Sequence, residues 1–380
     1  MDEPRIRRAL EGGLAKGGLP GVVVAAVTPA GETVHMAVGQ RSSSDPAPLA
    51  LDTQFWVASM TKAIVAVVAL QLVDEGRLGL DAAVGEWLPE LRSPRVLVGF
   101  SADGRPSYRP ARKPVTLRTL LAHTSGLVYD FANPDLARWV ALTGADMFGR
   151  DPPQDLPLIF DPEDGWAYGY GIDFVGRLIE AASGEDLGAV LTERVFRPLA
   201  MTSTTFSLTA EQRAGLAPMH VRLPDGGVAP LEFALPDPPF FQMGGGGLYS
   251  TASDYLRFLV ALMGDKSELV PPALADLLFT SQVTHPRPGA LVSAAPHVTR
   301  DFDAFPGQPT GWTLGFLTNL EPGTAGRSAG SLTWAGLANS YYWLDRERGA
   351  AGVMLAQLLP FADPGALALF DRLERAVYGG

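Results

Sequence analysis

Cysteine does not occur anywhere in the 380 residues. Its absence excludes disulfides, thiolate nucleophiles and cysteine-ligated metals. Histidine is scarce: the five present are scattered without metal-ligand spacing, so neither a metal nor any other cofactor is expected. Lysine and arginine number 30 against 41 acidic residues, a formal net charge of −11. No basic stripe is available to neutralise phosphates, which argues against a nucleic-acid partner. Long apolar runs are missing as well. The stretch from Ala63 to Leu72 stops at Asp74 and Glu75, too short to cross a bilayer, so no membrane partner is expected. The opening residues, MDEPRIRRALEGGLAKGGLPG, lack the apolar core and small-residue cleavage site of a secretory leader. A cytoplasmic protein is expected on that basis.

What is abundant points to a compact enzyme. Hydrophobic residues make up 47% of the chain, enough for a sizeable core, and 42 glycines with 32 prolines imply many turns. The order of elements is strands, helices, strands. Residues 21–39 read as a hairpin around Pro29-Ala30-Gly31, preceded by a helix from Glu3 to Lys16. Helical patterns follow at Ser59–Gly76, Thr116–His123, Ile172–Ser183 and, behind the capping-box spacing of Thr251 and Asp254, up to Met263. Strands return at Thr313–Thr318, Gly330–Trp334, Tyr341–Leu344 and Gly352–Leu358. A last helix, Pro364–Tyr378, is capped by Asp363. Residues 283–311 read as the longest structureless stretch. This is an α+β pattern with an antiparallel sheet flanked by helices, not alternating βαβ units. The expected division is residues 1–85 with 286–380 as an α/β domain and 86–285 as a mainly helical domain, the active site lying in the cleft between them.

The first chemical signal is Phe55-Trp-Val-Ala-Ser59-Met-Thr-Lys62. A serine hydroxyl needs a nearby base to become a nucleophile. Positions i and i+3 share a helix face, so the Ser59 hydroxyl and the Lys62 amine can meet. The alternative is a helix-capping serine beside a solvated lysine, but the apolar helix after Lys62 is poorly placed for solvation. The second signal is Gly165-Trp-Ala-Tyr168-Gly-Tyr170-Gly-Ile-Asp173, where the Tyr168 phenol can accept or relay a proton beside a lysine. The third is Ser331-Leu-Thr-Trp334-Ala-Gly336-Leu337, a strand with a glycine where close approach is wanted. Such a strand can supply one backbone N–H to an oxyanion and Ser59 the other.

Other motifs carry less. Ser328 sits in a G-x-S-x-G string, yet a strand follows it rather than a helix, and no histidine follows residue 297. His123 reads as structural, ending its helix. The four glycines 244–247 lack the lysine and the preceding strand of a phosphate loop and let the backbone pass close to the cleft.

In this order, the strings FWVASMTKAIVAVVALQLVDEGRLGLD, TLRTLLAHTSGL, GWAYGYGIDFVGRLIEAASG, GGGGLYSTASDYLRFL and LTWAGLANSYYWLDRERGAAGVMLAQLLPF resemble the serine β-lactamase and penicillin-binding-protein superfamily. Within it they most resemble the family VIII carboxylesterases and the related fungal acyltransferases that esterify statin precursors. The resemblance implies a β-lactamase-like fold. It also implies Ser59 as nucleophile, Lys62 and Tyr168 as the proton-transfer pair, and the Leu337 N–H with that of Ser59 as the oxyanion hole. Tyr170, Trp334, Ala335 and Gly336 are the expected substrate contacts.

The departures from the pattern are chemical. Tyr170 stands where β-lactamases have Asn, and Trp334-Ala-Gly where they have Lys-Thr-Gly. The lost cation and gained aromatics favour neutral acyl substrates over anionic β-lactams. Ala335 stands where the esterases usually have the middle glycine of Trp-Gly-Gly, and a slightly narrower cleft is expected. The expected function is a serine carboxylesterase acting on a small-molecule ester of short to medium chain. An acyltransferase using the same acyl-enzyme, a β-lactamase or DD-peptidase, and a non-catalytic binding protein are the alternatives.

Overall fold

The computed structural model describes residues 3–145, 155–264, 269–270, 272–283 and 287–379. Valine-rich β1 (Gly21–Val27) and β2 (Thr33–Gly39) form the expected hairpin. The C-terminal strands add to it: β3 (Thr310–Trp312), β4 (Leu317–Asn319), β5 (Leu332–Gly336), β6 (Ser340–Asp345) and β7 (Ala350–Leu355). The seven lie in the order β3-β4-β5-β6-β7-β1-β2, antiparallel throughout. The chain thus enters the sheet near its start, leaves for some 270 residues, and returns as a meander.

Both faces of the sheet are covered. Successive residues of a strand point to opposite faces. Tyr342 of β6 meets Tyr255 of α4 (Ala252–Met263), ring centroids 5.2 Å apart, while its neighbour Trp343 meets Phe370 of α5 (Pro364–Tyr378) at 5.5 Å. These two helices therefore lie on opposite faces. Beside α5 runs α1 (Glu3–Gly17), with Ile6, Leu10 and Leu14 turned inward. The Asp363 side chain accepts from the Gly365 and Ala366 N–H groups, the cap expected from Asp-Pro. On the other face α2 (Thr61–Asp74) is buried on nearly every side, as a helix that is apolar all round must be. It packs against α3 (Gly171–Ser183), which ends at Gly184 with a φ of 76°.

Several expectations are corrected. Thr313–Thr318 is not one strand: β3 and β4 form a hairpin, and Gly315 turns it with a φ of 108°. β-Rich residues on both sides of that glycine hid the turn. The strand expected at Gly352–Leu358 ends at Leu355, and Leu358–Leu359 pairs in parallel with His220–Arg222 in a separate sheet. Within 283–311 a short pair, Ala290–Leu291 with Phe302–Asp303, gives order to the stretch, and residues 284–286 lie outside the described ones. The middle of the chain carries two hairpins besides its helices, Arg95–Phe100 with Pro106–Pro110 and His220–Arg222 with Val228–Pro230. Thr251 caps α4, but the Asp254 carboxylate turns to the Ser203 N–H and the Thr204 hydroxyl rather than closing the box.

Candidate active site

The segment before Ser59 is held from outside. Phe55–Trp56 pairs antiparallel with Tyr249–Ser250, and the Val57 N–H donates to the Leu248 carbonyl at 3.0 Å. Ala58 then adopts a left-handed φ of 45°. That region costs a non-glycine residue about 1–3 kcal/mol, so its neighbours must impose it. The Thr61 hydroxyl does so, donating to the Ala58 carbonyl at 2.7 Å and accepting from the Leu248 N–H at 3.1 Å. Ala58–Met60 forms one 3-10 turn ahead of α2, and the Ser59 hydroxyl caps neither helix start. Ser59 lines the cleft instead.

Lys62, one turn on, is 1% exposed. Its Nζ donates to Ser59 Oγ at 3.1 Å, to the Tyr129 hydroxyl at 2.9 Å and to the Gly245 carbonyl at 2.5 Å. An ammonium has three protons, and each finds a partner here. If the lysine is neutral, its lone pair can face Ser59 while two N–H groups keep the other partners. Burial, and then Asp173, push the Tyr129 phenol well above its usual value, so it remains protonated.

Tyr168 is close to Lys62 in a different way from that expected. Lys62 Nζ lies 4.9 Å from the Tyr168 ring centroid and 5.1 Å from that of Tyr129. Among the described residues no hydrogen bond joins Tyr168 to Ser59 or Lys62. Its hydroxyl accepts from the Trp334 indole N–H at 3.0 Å. Tyr170 lines the cleft and donates its hydroxyl proton to Asp130 Oδ1 at 3.0 Å.

β5 passes directly beside the turn that carries Ser59. A Cβ on Gly336 would stand 2.4 Å from the Val57 carbonyl oxygen and 3.6 Å from Ala58 Cβ, so only glycine permits this approach. Trp334, Ala335, Gly336 and Leu337 all line the cleft. The three sequence signals, separated by up to 278 residues, thus converge on one space, since Ser59, Tyr168 and Leu337 share its wall.

That space is a cleft open to solvent, about 890 Å³ when the solvent at its mouth is counted. Its walls are aromatic, with Trp56, Phe131, Phe174, Phe241 and Phe361 joining the tyrosines and Trp334. Among the described residues that line it none is Arg, Lys or His, and Asp173 is the one carboxylate. Arg287 is bound to Asp303 at 2.8 and 3.0 Å, and Arg300 is exposed; neither lines the cleft. Ser328 is outside it too, donating its N–H to Asp345.

His123 takes the structural part expected of it. It ends its helix at a φ of 55°, and its Nδ1 accepts from the Gly169 N–H at 3.4 Å. Full burial, and then Lys62, hold its pKa well below 6.5, so the ring is neutral. Packed 4.9 Å from both Tyr168 and Trp312, it is a wall for the Tyr168 ring.

Two contributors gave little sign in the sequence. Tyr129 follows HTSGL in an irregular segment, where no spacing relates it to Lys62. Asp173 had a faint signal, an acid among apolar neighbours in the first turn of α3, where Ile172, Phe174 and Val175 are all buried.

The chain is similar to known proteins along nearly its whole length. The Beta-lactamase family model matches residues 6–376. A lovastatin esterase of Penicillium rubens is 33% identical over 358 residues, covering 89% of this chain and 88% of that protein. A monacolin J acid methylbutanoyltransferase of Aspergillus terreus is 32% identical over 346 residues, covering 87% and 83%. Among solved structures, a LovD6 variant of the simvastatin synthase of Aspergillus terreus superposes with a TM-score of 0.86 at 29% identity, covering 98% of this chain and 96% of that one.

Proposed function

The chain belongs to the beta-lactamase family as a serine hydrolase of its esterase and acyltransferase kind, and from that premise we propose a carboxylesterase that works through an acyl-enzyme on Ser59. Its substrates are neutral esters of short to medium acyl chain. The observation that carries this reading is Lys62 Nζ at 3.1 Å from Ser59 Oγ, in a cleft whose remaining walls are aromatic and without a cation among the described residues.

The steps follow from the atoms present. Ser59 Oγ attacks the ester carbonyl carbon while Lys62 takes its proton, in concert with Tyr168. The carbonyl oxygen becomes an oxyanion facing the N–H groups of Ser59 and Leu337. On collapse the C–O bond to the alcohol breaks, and the proton passes to the leaving oxygen. Water or a second alcohol then attacks the acyl-Ser59 ester by the reverse route. Tyr170, Trp334, Ala335 and Gly336 contact the substrate. Removing an acyl chain from water against these aromatic walls contributes about 25 cal/mol per Å². We read residues 1–85 with 286–380 as the unit bearing the sheet, Ser59 and the third motif, and residues 86–285 as the unit that supplies the opposite wall.

Transfer to an alcohol is the second reading, supported by the likeness to a methylbutanoyltransferase. A panel of p-nitrophenyl esters run with and without acceptor alcohols, read by mass spectrometry, separates the two. Free acid as the main product supports the esterase, and mainly new ester supports the transferase. No Ser59-dependent turnover of any ester contradicts both.

A further inference from the structure

Asp173 stands in the first turn of α3, 7% exposed, on the wall of the cleft. Its Oδ1 accepts the Gly245 N–H at 2.8 Å, and the carbonyl of the same Gly245 receives Lys62 Nζ at 2.5 Å. One glycine is therefore gripped from two sides by an acid and a base. The approach is close: a Cβ on residue 245 would lie 2.3 Å from Asp173 Oδ2 and would push the carboxylate off its place. The carboxyl faces Lys62 from α2 and, from the loops beside it, Tyr129 and Tyr170. Asp130 lies farther along, bound to Tyr170, and neutral His123 faces Lys62 from the helix end before it.

We propose that Asp173 is a positioning residue: it clamps Gly245 so that the carbonyl takes one proton of Lys62, and its carboxylate holds the ammonium form of Lys62 against proton loss. Three observations converge on it: the shared glycine, the buried carboxyl in an aromatic wall, and the through-space pull of Lys62 on that carboxyl, where among the described residues no carboxylate stands within ion-pair distance of Lys62. Burial raises the Asp173 carboxyl above its ordinary value, while Lys62 and the Gly245 N–H pull it back. An anion at that place delays the release of the lysine proton as pH rises; a neutral group there lets it go sooner. The clamp rests on the esterase reading only for its kinetic test.

Asp173→Asn keeps an acceptor for the Gly245 N–H and removes the charge; Asp173→Ala removes both. For p-nitrophenyl butyrate, Asp173→Asn should move the acid limb of kcat/KM to lower pH by about one unit, the size of a single near-charge effect. Asp173→Ala should in addition lower kcat by roughly tenfold or more, with KM changed far less, because the lysine loses its fixed carbonyl. The second readout does not need activity. The chain has four lysines, Lys16, Lys62, Lys113 and Lys266, so the Lys62 Cε resonance in a carbon-13-labelled protein is identified by its loss in Lys62→Arg. In the wild type that resonance should show a second inflection where the Asp173 carboxyl carbon titrates, and Asp173→Asn should abolish it. A Lys62 curve blind to Asp173, or an acid limb unmoved in Asp173→Asn, overturns the proposal. If the wild type shows no Ser59-dependent ester turnover, the esterase reading fails while the resonance still decides the role of Asp173.

Discussion

The indole N–H of Trp334 donates a hydrogen bond to the Tyr168 hydroxyl at 3.0 Å, across 166 residues of sequence. The bond ties the third motif to the second and occupies one lone pair of the phenol oxygen. As the acceptor in that bond, the phenol does not spend its own O–H on Trp334. Lys62, meanwhile, is bound to Ser59 and lies against the Tyr168 ring.

Lys62 and Tyr168 should therefore behave as one unit. Each single change, Lys62→Ala or Tyr168→Phe, is expected to lower kcat by roughly a hundred- to ten-thousand-fold, the range of general acid–base catalysis. Groups that move the same proton do not add in free energy. A double mutant whose loss equals the product of the single losses contradicts the shared role.

Gly336→Ala tests the proposed oxyanion role of β5. The added Cβ would stand 2.4 Å from the Val57 oxygen, so β5 and the turn that carries Ser59 must part. Misplacing donors by a fraction of an ångström to an ångström costs up to about a hundredfold in rate. We expect a kcat loss approaching that size with little change in KM; unchanged kcat would show that the close approach is not used.

Substrate charge gives a third test. A β-lactam carries a carboxylate, and desolvating an anion without a partner costs several kcal/mol. Among the described residues the cleft wall offers no cation, and Arg287 is engaged with Asp303. Nitrocefin should be turned over with kcat/KM at least about a hundredfold below that of p-nitrophenyl butyrate. Equal efficiencies would refute the argument, and a drop in nitrocefin turnover in Arg287→Ala or Arg300→Ala would identify the cation involved.

Acid stability should depend on Asp161. Arg109 makes two hydrogen bonds to its carboxylate at 3.0 and 2.7 Å, and Arg112 adds its N–H at 2.8 Å and Nε at 2.6 Å. The hydrogen bonds from Arg109 foremost hold the carboxyl well below its ordinary 3.8. A depressed folded value means the stabilisation is complete above the unfolded value and fades as pH falls below it. Asp161→Asn should lower Tm by several degrees at pH 7, with the gap to wild type closing as pH is taken below about 3.8. A gap that is constant down to pH 2 would contradict this.

Much of the molecule was legible in the sequence where period and punctuation agreed. The apolar run after Lys62 became α2, the Val-rich hairpin became β1 and β2, and Asp363-Pro364 opened the last helix. Gly336 was expected where backbones crowd, and the crowding is there. What escaped was set by tertiary contact. A glycine turn divided Thr313–Thr318 without breaking its β composition. Tyr129 reaches Lys62 across 67 residues through loop geometry that no local spacing encodes. Asp173 looked like an ordinary first-turn acid, and only the glycine loop folded over it reveals its partner.

The most direct test is to trap the acyl-enzyme. Wild-type protein mixed with p-nitrophenyl butyrate should release a stoichiometric burst of p-nitrophenol and gain the mass of one butyryl group. Peptide mapping should place that group on Ser59. Ser328→Ala should acylate as wild type does, and Ser59→Ala should not acylate at all. A butyryl group on Ser328, or turnover that survives Ser59→Ala, would contradict the active site described here.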